Sequence, residues 1–255
     1  MRIALSKRKL PDSAQWANFL RNHDELDIGR LPDEQKQKVF AEFGPEKRMQ
    51  LYDRGIRRRL APMLGGDRRR LELANSIMMT LPGTPVIRYG DEIGMGDDLA
   101  LPERDCARTP MQWSGGTNGG FTASDDPVRP PIAEGAYSYR ELNVADQRTD
   151  AASLLNWSER VIRLRKELPE IGRGDFTILD TPPGILAIRY DWQGRASIFV
   201  HNLEDRRVES RIATEAPGDA PLVCLWSDAV NDPDADGRFS LVLEPYGYRW
   251  LRFGG

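Results

Sequence analysis

The stretch QWANFLRNHDE, residues 15–25, decides the first half of the fold. Its apolar part, Gln15–Leu20, lacks the alternation of a half-exposed strand, and such a run is typical of a strand buried on both faces of a parallel sheet. A second run, TPVIRY at Thr84–Tyr89, also leads directly into charged and glycine-rich sequence. Helical patterns alternate with these strands, at Pro32–Phe43, Arg68–Leu81 and Ala152–Leu168. The first half is therefore predicted to be α/β.

The second half has a twofold apolar period. After Gly174, seven short strand patterns lie between Phe176 and Phe253, separated by turn clusters such as PPG and WQG. This spacing predicts an antiparallel β-sandwich. We therefore predict two domains, an α/β domain at residues 1–172 and a β-sandwich at residues 173–255.

Composition excludes several classes of protein. The 255 residues carry 36 Lys and Arg against 39 Asp and Glu, a net charge of −3, which argues against nucleic acid as a partner. No apolar run is long enough to span a membrane, and the opening MRIALSKRKLPDSAQW is unlike a secretory signal, which predicts the cytoplasm. Cys106 and Cys224 lie far apart in the sequence and have no His or Cys at the spacing of metal ligands. We therefore predict two reduced thiols, no metal site and no cofactor.

The polar cluster Asn22–Glu25 is the first candidate for chemistry. Polar groups just after the C-terminal end of a parallel strand lie where (β/α) barrels place their active sites. His23 and Asp24 could hold sugar hydroxyls or stabilise positive charge there. The alternative is that Asp24 only caps a turn or helix.

Charged and aromatic residues elsewhere allow two interpretations each. The runs Arg57–Arg59 and Arg68–Arg70 could bind phosphate, but a solvated face is favoured. Acidic pairs in the long loop after Gly94, such as Asp97-Asp98 and Glu103-Arg104-Asp105, favour loop ion pairs over calcium. Aromatic residues of that loop could stack on sugars, but pinning the loop to the body is favoured for Trp113, Phe121, Tyr137 and Tyr139.

Three motifs together resemble the α-amylase family of glycoside hydrolases and transglycosylases. They are FLRNHDE at Phe19–Glu25, GIRRRLAPMLGGDRRRLELANSIMMTLPGTPVIRYGDEIGMGDD at Gly55–Asp98, and RTPMQWS at Arg108–Ser114. The resemblance extends from about Asp12 onward and is strongest to the trehalose synthase branch, which interconverts maltose and trehalose. It implies that Gln15–Leu20 and Thr84–Tyr89 are strands seven and eight of a (β/α)8 TIM barrel.

The resemblance also implies roles for single residues. Asp24 matches the third family carboxylate, which stabilises the oxocarbenium-like transition state, and His23 matches the histidine that hydrogen-bonds the same sugar ring. Arg108 and Glu25 resemble substrate-binding residues at the entrance. Arg88 stands where many relatives carry tyrosine.

The departure from the family pattern concerns the reaction itself. Retaining chemistry needs a nucleophile and a general acid about 5 Å apart, and in this family both follow earlier barrel strands that have no counterpart here. We therefore expect the C-terminal part of an enzyme that acts on α-linked glucose disaccharides or oligosaccharides and is inactive alone. One alternative is a split enzyme, with the N-terminal barrel part on another chain. The other is a non-catalytic carbohydrate-binding or assembly module, although the sandwich tryptophans Trp192, Trp226 and Trp250 are more typical of core packing.

Overall fold

A computed structural model describes residue 11 and residues 14–214, 220–227 and 229–253. Within these residues the α-helices are α1 (Asp33–Phe43), α2 (Leu60–Met63), α3 (Arg68–Thr80), α4 (Val144–Thr149), α5 (Leu154–Lys166) and α6 (Pro169–Arg173). The strands are β1 (Ala17–Asn18), β2 (Leu26–Asp27), β3 (Gln50–Leu51), β4 (Gly55–Ile56), β5 (Thr84–Pro85), β6 (Asp175–Ile178), β7 (Ile185–Trp192), β8 (Arg195–Asn202), β9 (Val208–Ala213), β10 (Leu222–Cys224), β11 (Val230–Asn231), β12 (Arg238–Leu243) and β13 (Tyr248–Phe253).

The three predicted helices are confirmed, each within two residues of its predicted ends. Helix α5 begins where the Ser153 hydroxyl accepts a hydrogen bond from the backbone N–H of Asn156, at 3.2 Å. Its residues Leu154, Trp157 and Val161 are buried at helical spacing. Helix α3 ends before Pro82-Gly83, as predicted, because proline cannot continue the helical hydrogen bonds.

The chain forms two compact units that interleave along the sequence. The β unit comprises residues 1–18, 72–86 and 161–255, and the loop unit comprises residues 19–71 and 87–160. The domain boundary at residues 172 and 173 stays a prediction.

The β unit contains the predicted antiparallel sandwich. Its larger sheet has the strand order β11-β10-β13-β8-β7-β6, and its smaller sheet pairs β12 with β9. Apolar side chains from both sheets form one core, with Ile198, Val200 and Leu251 from the larger sheet against Ile212 and Phe239 from the smaller. The short strand β11 adds an eighth strand to the seven that were predicted.

The other face of the larger sheet packs on helical residues of the same unit. Because side chains alternate along a strand, Phe199 and His201 of β8 point away from Ile198 and Val200. The Trp250 indole lies edge-on to Phe199, with 5.2 Å between ring centroids, and donates its Nε1–H to the Ser76 hydroxyl at 2.8 Å. Core packing is thus confirmed for Trp250, and Trp226 packs edge-on against it at 5.6 Å.

Strands β1 and β5 pair in parallel, as expected of barrel strands seven and eight. Ala17 lies opposite Thr84 and Asn18 opposite Pro85. Both strands are shorter than the predicted runs Gln15–Leu20 and Thr84–Tyr89. Pro85 has no N–H to donate, which limits the backbone hydrogen bonds between β1 and β5.

In the loop unit, the prediction that Arg57–Arg59 form a solvated face is wrong. Arg59 is fully buried and pairs with Asp91 at 2.9 Å, while Arg58 pairs with Asp97 at 2.9 Å. Arg57 donates to the backbone carbonyls of Leu99, Leu101 and Glu103. The run is buried because a long loop without regular structure exposes carbonyl oxygens that need donors.

The remaining predictions for this unit are borne out in part. Arg69 and Arg70, in contrast to Arg59, pair with Asp67 and Glu42 in more exposed positions. Tyr139 is buried, and the Tyr137 ring lies so close to Gly96 that a Cβ there would clash with it. These two tyrosines pin the loop, whereas Trp113 and Phe121 stay about half exposed.

The two cysteines do not form a disulfide with each other. Cys106 and Cys224 are both free and buried, and burial raises the pKa of the Cys106 thiol to about 11. Among the described residues, every helix is too short or too polar to cross a bilayer.

His201 gives the β unit a measurable dependence on pH. Its Nε2 lies 3.0 Å from the Ser76 hydroxyl, and burial lowers its pKa from 6.5 to about 3. The unfolded chain therefore binds a proton that the folded chain does not. We expect the free energy of unfolding to fall as the pH drops below 6.5, with this histidine contributing up to about 1.4 kcal/mol per pH unit.

Urea denaturation between pH 4 and pH 7 checks this expectation. His201→Gln should flatten the slope of the free energy of unfolding against pH. Gln35→Ala, a substitution at an exposed uncharged position of α1, should leave that slope unchanged. Equal slopes in the His201→Gln variant and the unaltered chain would contradict the expectation.

Candidate functional site

The polar cluster after β1 is held in place by a buried arginine. The Arg21 guanidinium donates to the backbone carbonyls of Asp24 and Arg58, both at 2.8 Å. Burial lowers the pKa of Arg21 to about 10, so it remains charged at neutral pH. The Asn22 side chain accepts from the backbone N–H of Asp24 at 2.9 Å. These bonds fix the backbone from which the Asp24 side chain projects.

Three of the predicted site residues come together at Asp24. Its carboxylate accepts from Arg108 Nη2 at 3.0 Å, and its other oxygen lies 3.6 Å from His23 Nε2. Arg108 also donates from Nε to the backbone carbonyl of His23 at 2.9 Å. Asp24 is 41% exposed and His23 is 71% exposed. The cluster can therefore be reached by a ligand.

The fourth predicted residue, Glu25, is buried. Its side chain is 5% exposed, and its two oxygens accept from Arg104 Nε at 2.6 Å and Nη2 at 3.2 Å. The hydrogen bonds from Arg104 lower the pKa of Glu25 to about 2. Since both oxygens are engaged, the clearest role of Glu25 in this arrangement is to orient Arg104. Its role in substrate binding stays a prediction.

Arg104 joins Glu25 to Asp24. Its Nε lies 3.4 Å from Asp24 Oδ1, so the Asp24 carboxylate faces the guanidinium groups of both Arg104 and Arg108. Asp105, the next residue, pairs with Arg129 at 2.9 Å. The predicted ion pairs of the long loop are thus confirmed. The sequence did not indicate that Arg104 also lies against Asp24.

Arg88 was also missed as a positioning residue. It is buried, and its guanidinium donates to the backbone carbonyl of Asn22 at 2.6 Å and to that of Ala107. It therefore ties the polar cluster to the residue before Arg108. The available signal was the arginine itself, a charged side chain within the otherwise apolar run TPVIRY.

The arrangement suits one chemical task. A carboxylate in a positive field, exposed and beside an imidazole, can accept hydrogen bonds from sugar hydroxyls while positive charge develops nearby. No metal is needed for that task. In the parts of the chain that the structure describes, His, Cys, Asp and Glu side chains form no group of three that could hold a metal ion.

The sequence matches two family models and several curated proteins. Residues 49–174 match the α-amylase catalytic domain, and residues 194–252 match the sucrose hydrolase-like C-terminal domain. The chain is 40% identical to the trehalose synthase of Thermus thermophilus over 243 residues, covering 94% of this chain and 25% of that protein. It is 34% identical to the trehalose synthase of a Pimelobacter species over 259 residues, covering 95% of this chain and 44% of that protein.

Solved structures share the same fold. An α-amylase from H. orenii superposes with a TM-score of 0.64 at 25% identity, covering 93% of this chain and 40% of that one. The trehalulose synthase MutB of Pseudomonas mesoacidophila superposes with a TM-score of 0.60 at 22% identity, covering 93% and 43%. The fold is the end of a (β/α)8 barrel followed by an antiparallel β domain, as predicted. The chain spans less than half the length of each of these proteins.

The pair formed by Glu25 and Arg104 should stabilise the loop unit in a manner that depends on pH. Glu25→Gln is expected to lower the free energy of unfolding at pH 7 by about 2 kcal/mol, because it removes a charged hydrogen-bond acceptor from a buried pair. The pKa of Glu25 falls from its ordinary value of 4.5 to about 2 in the folded chain. The stabilisation is therefore fully present above pH 4.5 and is lost as the pH falls toward 2.

Urea denaturation of Glu25→Gln and of a control, Glu134→Gln, tests this pair. Glu134 is an exposed acidic residue of the same unit, and its substitution should change the free energy of unfolding little at any pH. The difference between Glu25→Gln and the unaltered chain should shrink between pH 5 and pH 3. A difference that does not change with pH would refute the charged pair as its source.

Proposed function

Since this chain belongs to the α-amylase family, we propose that it is the C-terminal part of an enzyme that acts on α-glucosidic disaccharides such as maltose and trehalose by retaining double displacement. The observation that carries the proposal is that His23 and Arg108 both lie against the exposed carboxylate of Asp24. Relatives named trehalose synthase, at 34% to 43% identity, support this class of substrate.

In this proposal Asp24 is the transition-state stabiliser. When the glycosidic bond breaks, the anomeric carbon gains positive charge and the ring hydroxyls become better hydrogen-bond donors. Asp24 accepts from such hydroxyls more strongly in the transition state than in the ground state, which is the condition for lowering the barrier. His23 hydrogen-bonds the same ring, and Arg108 keeps the Asp24 carboxylate oriented while lining the entrance.

The nucleophile and the general acid come from the N-terminal part of the barrel in this proposal, encoded upstream or carried by another chain. The nucleophilic carboxylate forms a bond to the anomeric carbon as the leaving oxygen takes a proton from the acid. A hydroxyl or water then attacks the glucosyl intermediate and returns its proton to that residue. The two buried free thiols are consistent with the cytoplasm as the compartment.

A complementation assay tests the proposal. The chain alone should not interconvert maltose and trehalose. Mixed or co-expressed with the preceding barrel residues of the Thermus thermophilus relative, it should restore conversion. In the reconstituted enzyme, Asp24→Asn should lower conversion at least about 100-fold.

Asp33→Asn is the matched control. Asp33 lies at the exposed start of α1, and its substitution should leave conversion unchanged. Conversion by the chain alone would refute the proposal that catalytic carboxylates are supplied from elsewhere. Full activity of the reconstituted Asp24→Asn enzyme would refute the role of Asp24.

A further inference from the structure

The turn between β3 and β4 has an unusual backbone conformation. Its two central residues, Tyr52 and Asp53, both adopt positive φ, at 53° and 52°. The turn closes with a hydrogen bond from the Arg54 N–H to the Leu51 carbonyl at 3.3 Å. Turns with positive φ at both central residues favour asparagine and glycine, because other side chains crowd the backbone there. A tyrosine at the first of these positions is costly, and strained residues of this kind cluster at functional sites.

Burial of the Tyr52 ring does not account for this strain. Tyr52 is 49% exposed. The hairpin is anchored instead by Ile56, which is fully buried in an apolar cluster with Ile28 and Phe40. The hydrophobic effect therefore gives Tyr52 only part of what a buried ring would gain. What the turn fixes is the position of the ring, and that position brings the ring to charged groups.

Two guanidinium groups lie over the Tyr52 ring. The Cζ atom of Arg104 is 5.5 Å from the ring centroid, and the Cζ atom of Arg54 is 6.0 Å from it. Both distances lie within the range of cation–π attraction, in which the negative face of the ring attracts a cation. The planar guanidinium of arginine also stacks on aromatic faces. This attraction needs the ring of Tyr52 and not its hydroxyl.

The guanidinium of Arg104 that lies over this ring also meets two carboxylates. It donates to both oxygens of Glu25, and its Nε lies 3.4 Å from Asp24 Oδ1. The hairpin approaches these groups closely, since a Cβ at Gly55 would clash with the Glu25 side chain. The Arg104 side chain is 33% exposed. Hydrogen bonds along its edge orient the guanidinium, and a ring over its face keeps water from that face.

The backbone at Arg104 is held as well. Glu103, the residue before it, also adopts positive φ, at 43°, and its carbonyl accepts a hydrogen bond from Arg57 at 2.8 Å. In the described part of the chain, six residues other than glycine have positive φ, and three of them are Tyr52, Asp53 and Glu103. Half of these strained positions thus belong to the two segments that meet at the Arg104 side chain.

We propose that Tyr52 is a positioning residue, whose ring covers the Arg104 guanidinium and holds it against the carboxylates of Glu25 and Asp24. The proposal rests on the proposed function, because Arg104 serves the reaction only if Asp24 stabilises the transition state. Tyr52 then acts through Arg104 and does not bind the sugar. With the ring in place, the positive charge beside Asp24 is oriented before the reaction begins, which is the condition for electrostatic stabilisation.

Heteronuclear NMR of the full chain tests the contact without any catalysis. The Arg104 Nε–H, which donates to Glu25 at 2.6 Å, is assigned by its loss in Arg104→Lys, and its exchange with water is measured. Tyr52→Asn removes the ring but keeps the turn, because asparagine tolerates positive φ. We expect exchange to become about tenfold faster in Tyr52→Asn. Tyr52→Phe retains the ring and should exchange as slowly as the unaltered chain.

The reconstituted enzyme of the complementation assay tests the consequence for the reaction. Tyr52→Asn should lower kcat for maltose conversion about tenfold and change KM less than about twofold, because the ring acts on Asp24 and not on substrate binding. Tyr52→Phe should keep the kcat of the unaltered enzyme. Asp53→Asn is the matched control, since it lies in the same turn and loses only the charge that pairs with Lys47. It should leave kcat and KM unchanged.

Several outcomes would overturn the proposal. Equal exchange of the Arg104 Nε–H in Tyr52→Asn and in the unaltered chain would show that the ring does not hold the guanidinium. A tenfold loss of kcat in Tyr52→Phe would assign the effect to the hydroxyl, and the same loss in Asp53→Asn would assign it to the turn.

The two experiments also separate this proposal from the proposed function. If the reconstituted enzyme converts maltose and Tyr52→Asn keeps its kcat, the positioning role is wrong and the proposed function stands. If complementation fails while Tyr52→Asn speeds the exchange of the Arg104 Nε–H, Tyr52 holds Arg104 as proposed and the proposed function is wrong.

Discussion

The buried guanidinium groups of Arg57, Arg58 and Arg59 are the constraint on which the loop unit depends. They donate to loop carbonyls and pair with Asp97 and Asp91. Removing one such group would leave buried carbonyls or a buried carboxylate unpaired, which costs more than the net value of a hydrogen bond. A segment rich in Gly, Pro and Asp can therefore hold one conformation without regular structure of its own.

The surroundings of Asp24 follow from that constraint. Arg57 donates a hydrogen bond to the carbonyl of Glu103. The next residue, Arg104, donates from its guanidinium to the Glu25 carboxylate and also faces Asp24. Arg88 ties the polar cluster to the chain just before Arg108. Each contact joins residues far apart in the sequence, and together they position the long loop against the Asp24 carboxylate. Arginine suits these places because its planar group donates in several directions and stays charged when buried.

This network holds one exposed carboxylate, that of Asp24, in a fixed position. In the proposed function three carboxylates take part, and the network orients only one of them. Asp24 requires no proton transfer for its proposed role, so its neighbours need only supply positive charge and leave one side open.

The sequence by itself determined the class of fold, the helices and the antiparallel sandwich, because periodicity carries that information. Its motifs also singled out His23, Asp24 and Arg108, whose roles stay predictions. It could not determine that Arg59 is buried or that Arg104 reaches Glu25, since these contacts join residues 32 and 79 positions apart. A run of arginines on a solvated face and one buried beneath a loop have the same sequence pattern. Only the tertiary structure decided between them, because burial depends on which distant carbonyls and carboxylates the fold brings within reach.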